Sequence, residues 1–251
     1  MTIFGLEFWH IGLISVTALI TQVVGGLAGY GTGMLMPLVL VPLIGSEAIV
    51  PVISLSAVIT NPTRVFIFRE HLDVRKALAI SIFAIPTTMI GAWCYTLLSG
   101  RGAALVIGTG LVLMVPLRRL LARRRFRLSG PGVGAAGALY GFLSGGMTGT
   151  GVILIAMLMS MGLSGLPVIA TDAFASTIVG LAKTGVFAAA GELPPKLCLV
   201  AVLIGAMATP GTLIARWLSR RLPVKVHETM IEGTIIVGGG VLIARALAGG
   251  H

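Results

Sequence analysis

Long apolar runs alternate with short polar connections along the whole chain. Two of these runs, 10–44 and 131–162, are too long for one straight span at about 1.5 Å per residue. The other runs have the length of a single spanning helix, about 20 residues, and lie at 48–68, 75–98, 102–117, 166–189, 194–217 and 228–248. The pattern predicts an all-α polytopic membrane protein without a separate soluble domain.

Glycine clusters interrupt both of the long runs. The first contains Gly-Thr-Gly at residues 31–33, and the second contains Gly-Thr-Gly at residues 149–151. Backbone that leaves the helix inside a membrane must be buried in protein or line a cavity. We therefore expect each long run to form a helix, an unwound turn and a re-entrant half-helix. Close helix packing through small residues is the alternative use of these glycines.

The two breaks are 118 positions apart, and a second match follows them. Residues 86–93 and 210–217 share four identities in eight positions, including a proline and a tryptophan. The pattern therefore indicates an internal duplication. It predicts a single transmembrane domain, 1–251, with repeat 1 at 8–117, a linker at 118–130 and repeat 2 at 131–248. Each repeat has a glycine-broken first segment followed by three spanning helices.

The charge composition supports a membrane protein and its orientation. Charged residues make up 10% of the chain, against about 25% in soluble proteins. The net charge is +10, and six basic residues share one short stretch: Arg118, Arg119, Arg123, Arg124, Arg125 and Arg127. In a membrane protein, such a stretch predicts a cytoplasmic loop rather than a nucleic-acid site.

Counting crossings from that loop predicts the topology. The basic loops at 69–76 and 216–227 are then also cytoplasmic, and both termini lie outside. Each repeat makes an odd number of crossings, so the two repeats have opposite orientation, as in many secondary transporters. The expected location is the plasma membrane, the inner membrane of a bacterium.

Three charged residues lie inside predicted spans: Arg64, Asp172 and Lys183. A charge at the bilayer centre costs several kcal/mol unless it meets a cavity or a partner. The repeat offset places Arg64 within one residue of the position equivalent to Lys183. Two equivalent cations beside two half-helix N-termini predict a site for a small anion.

Other roles for these charges remain open at this point. Either cation could instead extend its head group to the membrane surface, since each lies a few residues from a predicted helix end. Asp172 could form a buried ion pair with Lys183 or Arg64, or titrate and couple transport to protons. The predicted substrate-binding residues are Asn61, Arg64, Lys183, Gly31, Thr32, Gly33, Gly149, Thr150 and Gly151, with Asp172 as the coupling or ion-pair residue.

No metal-ligand spacing and no hydrolase elbow occur in the sequence. We therefore predict no enzymatic activity, no metal and no cofactor. The expected partners are a small anion and the lipid bilayer, with protons as a candidate coupling ion.

Several motifs, in this order, resemble the first repeat of the TauE/SafE family of sulfite and organosulfonate exporters. They are Gly-Tyr-Gly-Thr-Gly at 29–33, Asn-Pro-Thr-Arg at 61–64 and His-Leu-Asp-Val-Arg at 71–75. The second repeat is similar through Gly-Thr-Gly at 149–151, Thr-Asp-Ala at 171–173 and Lys183. The resemblance covers roughly residues 20 to 245.

The resemblance implies a permease with two inverted repeats that moves small sulfur-containing anions such as sulfite or organosulfonates. Export is the direction usually named for the family, driven by the proton-motive force or the membrane potential. The alternative is a permease or passive channel for another small organic anion, such as a carboxylate.

Overall fold

The chain folds almost entirely into helices. The computed structural model describes residues 2–3, 6–28, 32–123, 128, 130–218 and 247. In chain order, the α-helices are α1 Phe8–Ala28, α2 Thr32–Ile44, α3 Ile49–Ile67, α4 Val74–Thr96, α5 Gly100–Arg123, α6 Pro131–Gly146, α7 Gly151–Ser160, α8 Leu166–Ala189, α9 Pro195–Ala206 and α10 Ala208–Leu218. A 3-10 turn, Arg69–His71, follows α3, and two short antiparallel strands, β1 Thr2–Ile3 and β2 Leu6–Glu7, precede α1.

Among the described residues, six helical stretches are long and apolar enough to cross a membrane by length and composition. They are Phe8–Gly26, Ile49–Ile67, Val74–Thr96, Gly100–Leu117, Leu166–Ala189 and Pro195–Leu218. The helical fold class and the predicted spans up to residue 217 are thereby confirmed to within a few residues. Apart from residue 247, the run predicted at 228–248 lies outside the described residues.

Two boundaries differ from the predicted segments. Helix α5 continues to Arg123, so the first six residues of the predicted 118–130 linker are helical. Arginine and leucine fill this stretch, and both favour helix. The span at 194–217 is divided into α9 and α10 at Met207. Pro210 explains the division, because it has no N–H to donate to the Ala206 carbonyl four residues earlier.

The N-terminal ends of the two short helices, α2 and α7, contact each other. Helix α6 ends at Gly146 and α7 begins at Gly151, with Gly149 at a φ of 81° between them. Glycine adopts this left-handed backbone without a side-chain clash. A Cβ added to Gly33, near the start of α2, would lie 2.9 Å from the Gly149 nitrogen. The two starts therefore touch through backbone. Residues 29–31, between α1 and α2, lie outside the described residues.

Helices from one predicted repeat pack mainly on helices from the other. Helix α6 packs on α4, and α1 packs on α10. Glycine allows both approaches, because a Cβ on Gly145 would overlap the Thr88 carbonyl oxygen and one on Gly26 would overlap the Ala215 side chain. Helix α3 packs on α8, while α4 contacts α8 and α9 contacts α3. Exchanging the two predicted repeats turns the pair α1 with α10 into the pair α6 with α4. It also turns the pair α4 with α8 into the pair α9 with α3, so the packing partners correspond.

Polarity is reversed relative to a soluble protein. Large apolar side chains such as Phe66, Ile82 and Trp93 are exposed on the outer surface, where a lipid-facing protein places them. Arg64, Asp172 and Lys183, by contrast, are 8%, 1% and 9% exposed. The charges that the sequence places within the spans therefore lie in the interior of the helical assembly.

Candidate functional site

A cavity of about 110 Å³ lies between α3, α8 and the adjoining starts of α2 and α7. A single buried water requires roughly 10–15 Å³ by the same kind of measure, so the cavity has room for several waters or for one small solute. Every predicted site residue that the structure describes lines it: Thr32, Gly33, Asn61, Arg64, Gly149, Thr150, Gly151, Asp172 and Lys183. Gly31 lies outside the described residues.

Arg64, on α3, is held by three neighbours. Its guanidinium donates hydrogen bonds to the Asn61 side-chain oxygen and, over 3.4 Å, to the Gly25 carbonyl. One of its nitrogens also lies 4.0 Å from a carboxylate oxygen of Asp172 on α8. The side chain is therefore directed into the interior and not towards the end of its helix, which excludes surface extension for Arg64. We call Asn61, Arg64 and Asp172 the Arg64 end of the cavity.

Lys183, on α8, has a simpler environment. Its ammonium donates a 3.1 Å hydrogen bond to the Ser144 carbonyl on α6. Among the residues that the structure describes, no carboxylate lies within 4.0 Å of this ammonium. An ammonium has three donors, so further hydrogen bonds are open to Lys183. We call Ser144 and Lys183 the Lys183 end of the cavity.

The two cations make the same kind of bond in the two predicted repeats. In each case, the cation binds a carbonyl 39 residues earlier in the chain, Gly25 for Arg64 and Ser144 for Lys183. Both carbonyls lie in the last turn of their helix, where backbone acceptors lack a helical partner and where cations are favoured. Each cation therefore stabilises the end of a glycine-broken helix while also facing the cavity.

Asp172 is buried and only loosely paired. The distance of 4.0 Å to Arg64 exceeds hydrogen-bond length. Its second carboxylate oxygen has no hydrogen-bond partner among the described residues. Lys183 is eleven residues further along the same helix, which corresponds to about 16 Å of axial rise. Of the two partners that the sequence left open, Arg64 is therefore the one within reach.

Metal ligands are not grouped in the described part of the chain. Within those residues, no set of three His, Cys, Asp or Glu side chains could hold a metal ion. The side chains that line the cavity supply two cations, one carboxylate and several hydroxyl groups, and the starts of α2 and α7 add backbone to its wall.

Comparison with known proteins assigns a family to this arrangement. The family model described as "Sulfite exporter TauE/SafE" matches residues 14–242. The chain belongs to the TauE/SafE family. Searches of curated proteins and of solved structures gave no significant match. The resemblance stated from the sequence motifs is thus confirmed.

Membership defines the general activity. TauE/SafE proteins are transporters of the sulfite-exporter type, so this chain is a multi-pass membrane transport protein. This agrees with the prediction that it is not an enzyme, and with a small anion and the bilayer as its partners. The matched region includes every residue that lines the cavity.

Sequence reasoning missed Thr148 in this TauE/SafE site. Its hydroxyl is buried, lines the cavity and has no hydrogen-bond partner among the described residues. A buried hydroxyl without a partner is destabilising unless a ligand or water satisfies it. The signal was available, because Thr148 lies inside the glycine-rich turn between α6 and α7. Tyr140 and Ser176 also line the cavity without having been predicted.

A loop outside the spans contacts α8 next to the Arg64 end. The Asp73 backbone N–H donates a 3.1 Å hydrogen bond to the Thr171 hydroxyl, next to Asp172. The Asp73 carboxylate accepts a 3.0 Å hydrogen bond from the Lys76 backbone N–H at the start of α4. That backbone N–H is the main cause that holds the pKa of Asp73 below its usual value, with the Lys76 side chain contributing in the same direction.

Proposed function

We propose that this protein is a secondary transporter that exports a small sulfur-containing anion, such as sulfite or an organosulfonate, across the plasma membrane by alternating access. One observation carries the proposal. Two buried cations, Arg64 and Lys183, make equivalent bonds to the ends of α1 and α6 and line one cavity.

The surroundings of the cavity favour an anion over a cation. The N-terminal ends of α2 and α7 reach the cavity, and a helix N-terminus carries the positive end of the helix dipole. Ammonium and guanidinium groups form strong, charge-assisted hydrogen bonds with oxyanions. In the proposed site, Arg64, Lys183, Asn61 and the Gly-Thr-Gly motifs at 31–33 and 149–151 hold the anionic head group.

The proposed transport cycle uses the two repeats, 8–117 and 131–248, as inverted units joined by a cytoplasmic 118–130 linker, with both termini outside. Helix α1 packs on α10 as α6 packs on α4, so the two pairs correspond under exchange of the repeats, which supports this arrangement. In such transporters, rocking of one unit against the other exposes a central site to each side in turn.

Asp172 is the proposed coupling residue. Its carboxylate lies near Arg64 in the structure. A substrate oxyanion that binds Arg64 competes with this pairing, and the released carboxylate can then take up a proton. Proton binding and anion binding are thereby linked through a shared partner.

Transport by reconstituted protein tests the proposal. Liposomes containing the protein should accumulate radiolabelled sulfite or methanesulfonate against its concentration gradient when a proton gradient or membrane potential is imposed. Arg64→Ala and Lys183→Ala should lose this uptake while remaining folded. Arg69→Ala and Lys76→Ala, outside the cavity, serve as matched controls. Full transport in both cavity variants would end the proposal.

The same experiment separates the transporter from the passive channel. A channel built on the same charges would equilibrate the anion but could not concentrate it. Flux without accumulation under an imposed proton gradient or membrane potential would therefore favour the channel. Accumulation of a carboxylate and of no sulfur anion would keep the transporter and overturn the substrate class.

A further inference from the structure

We infer that Phe68 and Phe187 are the two gates of the cavity, one beyond each of its ends. A gate is a side chain that must move before a solute can leave the cavity in that direction. The inference rests on the proposed function, because alternating access requires the central site to open to one side at a time. It assigns a role to two residues that do not themselves line the cavity.

The cavity-facing residues of α3 and α8 occur at the same spacing. Arg64 and Lys183 are 119 positions apart. The same separation relates four further pairs of lining residues: Ile53 with Asp172, Ala57 with Ser176, Thr60 with Val179 and Asn61 with Gly180. Helices α3 and α8 therefore present equivalent faces to the cavity. Phe68 and Phe187 continue this series, since they are also 119 positions apart and each follows its cation by four residues, which is about one helical turn.

Helices α3 and α8 run past the cavity in opposite directions. Arg64 lies 4.0 Å from Asp172. Further along α8, a Cβ added to Gly180 would lie 3.4 Å from the side chain of Val58, which precedes Arg64 on α3. Moving forward along α8 thus corresponds to moving backward along α3. The two phenylalanines therefore lie at opposite ends of the cavity, each beyond the cation of its own helix.

Apolar residues close both ends. Phe68 is 5% exposed and Phe187 is fully buried. In the antiparallel pair of helices, the residues level with them are Val168 and Ile49, which are also 119 positions apart and also buried. Each end of the cavity thus meets a phenylalanine from one predicted repeat and an aliphatic residue from the other. An apolar constriction of this kind excludes a hydrated ion until the side chains separate.

The two gates are held by contacts that join the repeats. The Phe187 ring meets the Tyr95 ring edge to face, with 6.0 Å between the ring centroids. At the other end, the loop that follows Phe68 is tied to α8 by the 3.1 Å hydrogen bond from the Asp73 N–H to the Thr171 hydroxyl. Tyr95 and Asp73 belong to repeat 1, whereas Phe187 and Thr171 belong to repeat 2. Rocking of one repeat against the other would therefore act directly on both gates.

A thiol in the cavity can report the opening of each gate. Ser176→Cys places a thiol on the cavity wall, in a background that carries Cys94→Ser and Cys198→Ser. The probe is a small, membrane-impermeant methanethiosulfonate reagent that carries a sulfonate group. Spheroplasts of expressing bacteria present one face of the protein to the reagent, and inside-out membrane vesicles present the other face. The measured quantity is the rate at which the thiol is modified.

The two gate variants should respond from opposite sides of the membrane. Phe68→Ala should speed modification in one of the two preparations, and Phe187→Ala should speed it in the other. Burial of each ring favours the closed state, so truncation to alanine should raise the rate by roughly ten-fold or more. Phe66→Ala is the matched control and should leave both rates unchanged, because its ring is 70% exposed on the outer surface.

Milder variants keep the test decisive if an alanine variant does not fold. Phe68→Leu and Phe187→Leu remove less of the ring, so they should give smaller increases from the same sides. Folding is checked by the melting temperature of the purified protein. Folded variants that react no faster than Phe66→Ala would overturn the assignment, and so would acceleration from the same side in both variants.

Failure of the gates and failure of the proposed function are distinguishable. The proposed function is tested by accumulation of the anion by the wild-type protein, which does not depend on the thiol. Accumulation without any effect of the phenylalanine variants on modification would overturn the gates alone. Modification from opposite sides without accumulation would overturn the proposed secondary transport and leave a cavity with two gated ends.

Discussion

The two ends of the cavity carry equivalent cations in unequal surroundings. Arg64 and Lys183 each bind a carbonyl 39 residues earlier, in the last turn of α1 and α6. Arg64 also contacts Asn61 and Asp172. At the Lys183 end, the described bond is the one to Ser144. The positions of the two cations agree with the predicted duplication, whereas their side-chain partners differ.

The difference suggests a division of labour in the proposed site. A guanidinium has five donors in a rigid plane and can satisfy several partners at once, whereas an ammonium is a compact charge with three donors. The partners already present fix Arg64 in place. One donor of Arg64, its buried Nε, has no described partner, whereas Lys183 has one described hydrogen bond for its three donors. We therefore expect the Lys183 end to contribute more to anion affinity and the Arg64 end more to stability.

Removing the ammonium at the Lys183 end should have the largest effect. Lys183→Met keeps a long, unbranched side chain and removes the charge. We expect anion binding to weaken by roughly 100-fold, because hydrogen bonds to charged groups contribute about 1.5–3 kcal/mol. The measurement is methanesulfonate binding to the purified protein, with Lys76→Met as the control outside the cavity. Unchanged affinity would place the anion away from Lys183.

Removing the carboxylate at the Arg64 end should act mainly on stability. Asp172→Ala leaves the buried guanidinium without its counter-charge, and breaking a buried ion pair costs about 3 kcal/mol. Lys183→Met removes one hydrogen bond and should cost about 1 kcal/mol. Thermal or denaturant unfolding in detergent compares the two.

A double variant sharpens that comparison. Arg64→Met combined with Asp172→Ala removes both charges and should be more stable than Asp172→Ala alone, since no unpaired charge remains buried. If the double variant is instead destabilised by the sum of the effects of Arg64→Met alone and Asp172→Ala alone, the 4.0 Å contact contributes no coupling energy.

Much of this arrangement could be predicted from sequence, because similar motifs recur at nearly fixed offsets along the chain. The matching Gly-Thr-Gly motifs and the offset between Arg64 and Lys183 group part of the cavity lining, but not Thr148, Tyr140 or Ser176. The rise of a helix could also have excluded an ion pair between Asp172 and Lys183, which lie eleven residues apart on α8. The family followed from the order of short motifs.

Other features could not be predicted, for physical reasons. The Gly25 and Ser144 carbonyls are backbone acceptors, and every residue type offers one, so the residue identities give no hint of them. The continuation of α5 to Arg123, into the predicted linker, reflects helix propensity, whereas the charge pattern alone suggested a loop. Thr148 lies in a glycine-rich segment, which we interpreted as a backbone feature, so its hydroxyl was not predicted as part of the site.

Removing the Thr148 hydroxyl should have a smaller effect on anion affinity, and it tests whether Thr148 acts together with the Lys183 end. Thr148→Val keeps the shape and removes the unpartnered hydroxyl, so anion affinity should fall by about ten-fold. Folding should not be destabilised, because no described hydrogen bond is lost. Thr148→Ser should retain affinity. Because Thr148 and Lys183 line the same cavity, the effect of Thr148→Val should be non-additive with that of Lys183→Met; full additivity would separate Thr148 from the Lys183 end.

The smallest effect concerns pH and the loop beside the Arg64 end. The Asp73 carboxylate accepts the Lys76 N–H at the start of α4, and this bond lowers the pKa of Asp73 in the folded protein. A lowered pKa means that the carboxylate stabilises the fold above its unfolded pKa of about 3.9 and loses this contribution as pH falls through the folded pKa.

Asparagine caps a helix comparably but does not titrate. The melting temperature of the wild-type protein should therefore exceed that of Asp73→Asn slightly at pH 7, and the difference should vanish as the pH falls through the folded pKa of Asp73, which lies below the unfolded value of about 3.9. A difference that is constant with pH would assign the stabilisation to the hydrogen bond of the cap alone, and not to the charge of Asp73.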